Sequence, residues 1–336
     1  MTIREGIELR EKDILSPYAT LSMASKGRVH SETECDIRPV FQRDRDRILH
    51  SKAFRRLKDK TQVFLTPEGD HYRTRLTHTL EVSQNARTIA KALRLNEDLV
   101  EAIALGHDLG HTPFGHAGER ALNRVCKYGF VHSEQSLRVV DILERDGRGL
   151  NLTEETRDGI LNHSFSKMPH TLEGKIVRIS DKIAYMHHDM DDAIRAGILP
   201  DDSVPDEISS VVGRTLSQRL DSFIHDIITQ SRDKDDIVMS ESVHKALLSL
   251  REWMFANVYT NAVAKGQEGK AESLIETLYT YFINRPDKLP EEYRILMSER
   301  DELPERVVCD YVSSMTDRYA IGLYNSLFIP MPWLVK

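Results

Sequence analysis

Residues 106 to 119 read GHDLGHTPFGHAGE, and this stretch limits the possible folds more than any other. It gathers His107, Asp108, His111, His116 and Glu119, interrupted by Gly110, Pro113 and Gly115. On a regular helix adjacent side chains point roughly 100° apart, so His107 next to Asp108 says little alone. Here, however, the pair closes an apolar helical run (Leu99, Val100, Ile103, Ala104, Leu105) where glycine and proline end the helix. Ending the helix there lets imidazoles and carboxylates from several turns converge. The plainer alternative is a surface loop of idle histidines, so the motif must find partners elsewhere.

Two further helices supply them. Leu80, Ala86, Ile89, Ala90 and Leu93 form a helical stripe that starts near His78. Asn96, followed by Glu97 and Asp98, is an N-cap with an acidic first turn ahead of the motif's own helix. The segment 172–197 carries an apolar face of Ile176, Ile179, Ile183, Met186, Met190 and Ile194, with Gly197 as its stop. Asp181, Tyr185 and Asp189 fall at i, i+4 and i+8, sharing one face beside the apolar stripe. A solvated row of acids is the other reading, since Asp191 and Asp192 follow. Taken together, His78, His107, Asp108 and Asp181 form an N/O ligand set without thiolate. Such a set suits Mn²⁺, Fe²⁺, Ni²⁺, Zn²⁺ and, less well, Mg²⁺. It leaves positions on the ion for water and a substrate oxygen, which is the pattern of metal-assisted hydrolysis.

The rest of the chain shows no sustained alternation, and apolar residues recur at helical spacing over about 206–260 and 270–325. Pro200, Pro205, Pro286, Pro290 and Pro304 mark the breaks. The expectation is an all-α fold. No linker or low-complexity tract divides the 336 residues, so residues 1–336 are expected to form one helical domain. Its core spans about 36–200, with a C-terminal helical part of about 201–336 packed on it. Residues 1–35 read as an extension with short helical pieces, and TQVFLTPEGDHYRTRL (61–76) as a short hairpin or loop. From Arg43 to Lys60 eight Lys/Arg face three Asp. A solvated amphipathic helix explains most of these, with a phosphate-facing role as the rival for Arg55, Arg56 and Lys58.

A net charge of −7 argues against a surface that generally coats nucleic acid. Cys35, Cys126 and Cys309 lie far apart without CxxC spacing and read as reduced thiols. The N-terminal MTIREGIELREKD lacks the apolar core of a signal peptide, and no apolar run is long enough to span a bilayer. The expected location is cytoplasmic.

The order H…HD…D, with HDLGHTPFGHAGE and RISDKIAYMHHDMDDAIRAG, resembles the HD-domain superfamily. FRRLKDKTQVF, RTRLTHTLEV and DYVSSMTDRYA extend the likeness to the deoxyguanosine triphosphate triphosphohydrolase family of bacterial dNTPases, over about residues 36–320. The resemblance implies an HD-domain helical bundle with additional C-terminal helices. The implied reaction is hydrolysis of a deoxynucleoside triphosphate, dGTP or a broader set, to the deoxynucleoside and intact inorganic triphosphate. It implies His78, His107, Asp108 and Asp181 as ligands of a divalent ion, Mn²⁺ or Mg²⁺ before Fe²⁺, Ni²⁺, Zn²⁺ or Co²⁺. Arg75 and Lys182 would contact phosphates, and Gln62, Tyr185 and Asp189 the deoxyribose. His116 and Glu119 correspond to a catalytic His–acid pair, with His111 and His132 along the phosphate path. A homo-oligomer, up to a hexamer, and switching by a second dNTP or single-stranded DNA are also implied.

Chemistry gives these assignments independent sense. Arginine neutralises phosphate oxygens through paired contacts. A histidine serves as acid or base near neutral pH, and both roles stay open for His116. A ring packed on the 2′ carbon excludes a ribose hydroxyl, while a carboxylate accepts the 3′ hydroxyl. For His111 a helix-end imidazole satisfied by backbone stands beside the functional role. His71, His163, His170, His187 and His188 are read as structural or solvated. Two competitors remain. One is another HD phosphohydrolase, acting on a nucleoside monophosphate or signalling nucleotide, with His111, His116 and His132 completing a second metal site. The other is a nucleotide or single-stranded-DNA sensor, for which Phe41 and Phe54 are the only stacking platforms in the basic stretch.

Overall fold

In the computed structural model, which describes residues 1–62, 73–164, 166–200, 203–259 and 266–330, helices carry the whole architecture. In chain order they begin with α1 (Ile3–Ile14), α2 (Val40–Leu49), α3 (Lys52–Arg56), α4 (Arg75–Leu93), α5 (Glu97–Gly106) and α6 (Gly115–Val125). Next come α7 (His132–Arg138), the single turn α8 (Glu144–Gly147), α9 (Glu154–Asn162) and the long α10 (Leu172–Arg195). The C-terminal third adds α11 (Asp206–Val212), α12 (Leu216–Ser231), α13 (Glu241–Met254), α14 (Glu268–Ile283), α15 (Glu291–Arg300), α16 (Pro304–Ser314) and α17 (Asp317–Phe328). Among the described residues the only β pairing is two isolated bridges, Arg28–Thr153 and Thr61–Thr74. The fold is all-α, as the periodicity indicates.

Helix α5 is the central rod. Leu99, Val100, Ala102, Ile103 and Ala104 are all buried, and α2, α4, α9 and α10 pack around it. Its start is set by Asn96, whose side chain accepts from the Leu99 amide. Thr74 and Thr77 form a reciprocal cap that begins α4, and Thr171 caps α10 through the Gly174 amide. Gly197, at φ +67°, takes the left-handed position just past the end of α10. The fully buried Glu173 accepts from the amides of Thr20 and Asn96, tying the N-terminal stretch onto the bundle.

The apolar interior divides in a way that matters for the site. The largest cluster joins Val82, Ile89, Leu99, Ile103, Ile176, Ile183 and Met190 to Phe223, Ile227, Leu247 and Leu250 of α12 and α13. A second cluster joins Phe114 and Leu122 to Ile275, Leu278, Phe282, Val307, Val312 and Met315. Within the GHDLGHTPFGHAGE stretch, Leu109 packs in a third cluster with Ile48, Leu105, Val140 and Ile160, while Phe114 and Ala117 belong to the second. Burying each such aliphatic or aromatic side chain contributes about 1.5–3 kcal/mol, so both cores hold the motif in place.

Two expectations change. Arg55 and Lys58 are exposed, Lys58 pairs with Asp59, and neither these two nor Arg56 lines the cleft described below. The phosphate-facing role for that trio is not supported. Phe41 and Phe54 are buried in separate clusters, so neither offers a face for stacking bases. The bridge Thr61–Thr74 closes the base of the 61–76 segment, while residues 63–72, with His71, lie outside the described residues. Among the described residues no helix is long and apolar enough to cross a membrane.

Candidate active site

The ends of α4 and α5 and the middle of α10 bring His78, His107, Asp108 and Asp181 together. His78 Nε2 lies 3.1 Å from Asp181 Oδ1, and His107 Nε2 lies 3.3 Å from Asp108 Oδ1 and 3.7 Å from Asp181 Oδ1. Donor atoms of His78, His107 and Asp108 all fall within 4.8 Å of one another. Both imidazoles have their tautomers set from behind. His107 Nδ1 donates to the Ala104 carbonyl at 2.7 Å, which leaves the buried Nε2 without a hydrogen-bond partner. His78 Nδ1 faces His188 Nδ1 at 3.4 Å, and His188 Nε2 pairs with the Glu81 carboxylate. His188 Nε2 keeps its proton and donates it in a hydrogen bond to Glu81, so the bare Nδ1 of His188 accepts from His78 and frees His78 Nε2.

Two lone pairs and two carboxylates thus converge from three helices, and the orphaned Nε2 of His107 shows that these residues fit a divalent ion. Without a bound ion, burial is overcome by the Asp108 and Asp181 charges and His107 rises to about 9. For Asp108, burial is likewise outweighed by His107, His111 and Arg75, which hold its carboxyl well below the usual range.

Glycine geometry brings the second group of histidines in. A Cβ on Gly110 would sit 2.2 Å from the Ser136 amide nitrogen and 2.6 Å from the His132 carbonyl, so only glycine lets the motif loop press against α7. That contact stacks the His111 and His132 rings at 4.1 Å and 14°. His111 Nε2 also lies 3.1 Å from Asp108 Oδ1, so its ring is engaged by the site rather than by backbone. His116 stands exposed at the mouth of the cleft with Nδ1 3.3 Å from Glu119 Oε2. Glu119 Oε1 accepts from both the backbone and Nδ1 of His132, each at 2.9 Å. Burial favours a protonated Glu119, but the bonds from His116 and His132 hold it far below the carboxylate range.

Asp108, His111 and His132 also cluster closely enough to invite a second ion. Stacked rings carry their lone pairs in parallel planes, however, and both nitrogens of His132 are already engaged. That arrangement does not support a two-metal centre.

A cleft of about 670 Å³ runs over this cluster, and all the other sequence-indicated residues line it while His107 lies fully buried beneath. Arg75 is buried too, its Nη1 donating to Asp108 Oδ2 at 2.9 Å. Lys182 is pushed down to about 8 by burial, with Arg178 and Arg251 adding to the effect, so cations crowd this side. Tyr259 donates to Asp189 Oδ2, while Asp189 Oδ1 and Gln62 Oε1 are buried acceptors without donors. Burial raises Tyr185 to about 12 and Asp189 to about 8.

Several lining residues were not legible beforehand: Arg251, Phe255 and Tyr259, from the end of α13 onward, and His163 after α9. Nothing in their spacing distinguishes the first three from an ordinary amphipathic helix. For His163 the mark is structural rather than sequential. Its Nδ1 donates to the Ile160 carbonyl at 2.7 Å, repeating the Ala104–His107 contact at the same three-residue spacing at a helix end. His163 is held neutral, down to about 3, by burial and by the neighbouring His107 and His132.

A family model for the HD domain matches residues 75–186, and one for a phosphohydrolase-associated domain matches residues 237–326. On an all-helical fold with a convergent His–Asp cluster, these matches define an HD-domain phosphohydrolase. Curated relatives named deoxyguanosinetriphosphate triphosphohydrolase-like protein are similar along nearly the whole chain. The one from Caldanaerobacter subterraneus subsp. tengcongensis is 55% identical over 99% of this chain and 98% of its own. That from Desulfatibacillum aliphaticivorans is 50% identical over 99% of both, and that from Clostridium tetani 45% over 98% and 97%. The chain belongs to the deoxyguanosinetriphosphate triphosphohydrolase-like family of HD-domain proteins.

Proposed function

We propose that this protein hydrolyses a deoxynucleoside triphosphate, dGTP or a broader set, to the deoxynucleoside and inorganic triphosphate. One observation carries the reading. A single cleft holds the His–Asp cluster, crowded cations at Lys182 and Arg251, and two buried acceptors, Gln62 Oε1 and Asp189 Oδ1, that lack donors. Sugar hydroxyls supply the missing donors, and phosphates supply the anions. Similarity to relatives that bear the triphosphohydrolase-like name supports the same choice.

His78, His107, Asp108 and Asp181 would hold a divalent ion, Mn²⁺ or Mg²⁺ in the first instance. When bound, that ion neutralises phosphate charge and acidifies water. Arg75 and Lys182 bind and orient the phosphates. Tyr185 closes on the sugar's 2′ carbon, and Asp189 accepts the 3′ hydroxyl, so a ribonucleotide meets a steric block. His116, steadied by Glu119, moves the proton needed at the departing 5′ oxygen. The three free thiols suit a cytoplasmic location. The proposal includes a homo-oligomer, up to a hexamer, and switching by a second dNTP or by single-stranded DNA.

Product analysis tests it. Each dNTP and GTP is incubated with wild type and His116→Ala, in Mn²⁺ and in EDTA. The expected result is triphosphate from dNTPs only, lost in EDTA and in the variant. Orthophosphate or pyrophosphate as the product would move the protein to another HD phosphohydrolase activity, and nucleotide binding without turnover would favour a sensor.

A further inference from the structure

His163 stands on the cleft wall with no part in the roles just described. Its Nδ1 donates to the Ile160 carbonyl. A carbonyl can only accept, so the ring's proton sits on Nδ1 and its Nε2 offers a lone pair. That lone pair faces His132 Nε2 at 3.2 Å. A contact between two nitrogens needs one hydrogen, and with His163 Nε2 bare the hydrogen belongs to His132. On its opposite edge, His132 Nδ1 donates to Glu119 Oε1 at 2.9 Å. Both His132 nitrogens are therefore donors, which only the imidazolium form allows. The His111 ring stacked on it fixes its plane.

We propose that His163 is a positioning residue that holds His132 as a doubly protonated cation at the phosphate path of the cleft. The inference rests on the triphosphohydrolase reading for the identity of the anion that His132 meets, not for the hydrogen-bond chain itself. A cation pinned at both edges needs no reorganisation when charge builds on the oxygens of the phosphate under attack. Ile160, His163, His132 and Glu119 thus form one relay that runs from the end of α9 to the first turns of α6.

Nitrogen-15 spectra of imidazole-labelled, Mg²⁺-loaded protein test this without turnover, with the His132 signals assigned by their loss in His132→Gln. Wild type is expected to show both His132 nitrogens protonated near neutral pH. His163→Phe, which keeps the ring but removes the acceptor, is expected to show one. His163→Gln, whose amide oxygen restores an acceptor, is expected to show both again. A singly protonated His132 in wild type, or unchanged signals in His163→Phe, overturns the proposal. In parallel, kcat for triphosphate release should fall about 10- to 100-fold in His163→Phe with little change in KM, and recover in His163→Gln. Equal kcat losses in both variants would reduce His163 to a packing residue. If wild type releases no triphosphate, the activity reading fails while the spectra still decide the role of His163.

Discussion

His188 Nδ1 meets His78 Nδ1 at 3.4 Å, so a residue outside the cleft lining decides which nitrogen of a metal-facing imidazole is free. Glu81 completes the relay by pairing with His188 Nε2. Such carboxylate–histidine partners fix the ring and raise its ligand strength, and their loss costs about 10- to 100-fold in metal affinity. His188→Phe is expected to weaken Mn²⁺ binding by that factor while the helical fold persists. Titration of Mn²⁺ followed by electron paramagnetic resonance measures it; affinity equal to wild type would show that the relay has no influence on His78.

Metal and stability are linked through Asp181. A ligand that binds only the folded state at about 100 times its Kd stabilises by about 2.7 kcal/mol. Addition of Mn²⁺ to chelator-treated wild type should therefore raise Tm by several degrees. Asp181→Asn removes one carboxylate from the convergent set, and the increment should largely vanish. Calorimetric scans of both proteins with and without Mn²⁺ provide the check. An undiminished rise in the variant would place the ion elsewhere.

Asp189 couples the cleft to pH. Burial lifts its carboxyl from 3.8 to about 8, opposed by the hydrogen bond from Tyr259. Until a sugar hydroxyl donates to Oδ1, the folded protein thus keeps a proton that the unfolded chain releases above about pH 4. Stability from this group is full below that pH and declines as the pH rises through about 8. Each unit of such a shift is worth about 1.4 kcal/mol. Asp189→Asn cannot ionise, so its stability relative to wild type should increase steadily between about pH 5 and about pH 8. Urea unfolding at several pH values measures the difference, and a difference independent of pH would refute the buried-acid account.

The frame of the site was readable because it follows helix periodicity. His78, Asp181, Tyr185 and Asp189 sit at fixed offsets on α4 and α10, and the Asn96 cap and Gly197 stop mark real ends. His163 and His188 were passed over because a lone histidine beside an apolar stripe has no local signature. Their importance arises from ring-to-ring contacts made across helices. The basic stretch shows why charge counts alone do not mark a site. Its charge count stands out in one dimension, yet Arg45 and Arg47 are spent on Asp98, Glu101 and Glu32, and Lys60 is buried against backbone carbonyls.

The C-terminal helices also shape the site through Asp317, the first residue of α17. Its Oδ1 accepts from the Phe114 amide at 3.0 Å, and its Oδ2 accepts from the Thr61 amide at 3.0 Å and from the Thr61 hydroxyl. Phe114 needs such an anchor, because it holds the left-handed φ of +63° at the start of α6. Thr61 precedes Gln62, and Phe114 lies between His111 and His116. Asp317→Ala would strand two amides, each costing about 1–3 kcal/mol when buried and unpaired. A fall in Tm of about 5 °C or more is therefore expected. Because the strained turn carries His116 and the preceding strand of chain carries Gln62, kcat should drop and KM should rise together. Asp317→Asn keeps one acceptor and should fall between the two. Thermal scans and steady-state kinetics on the three proteins test the clamp. Unchanged kinetics in Asp317→Ala, despite lost stability, would show that the C-terminal helices brace the fold without setting the geometry of the cleft.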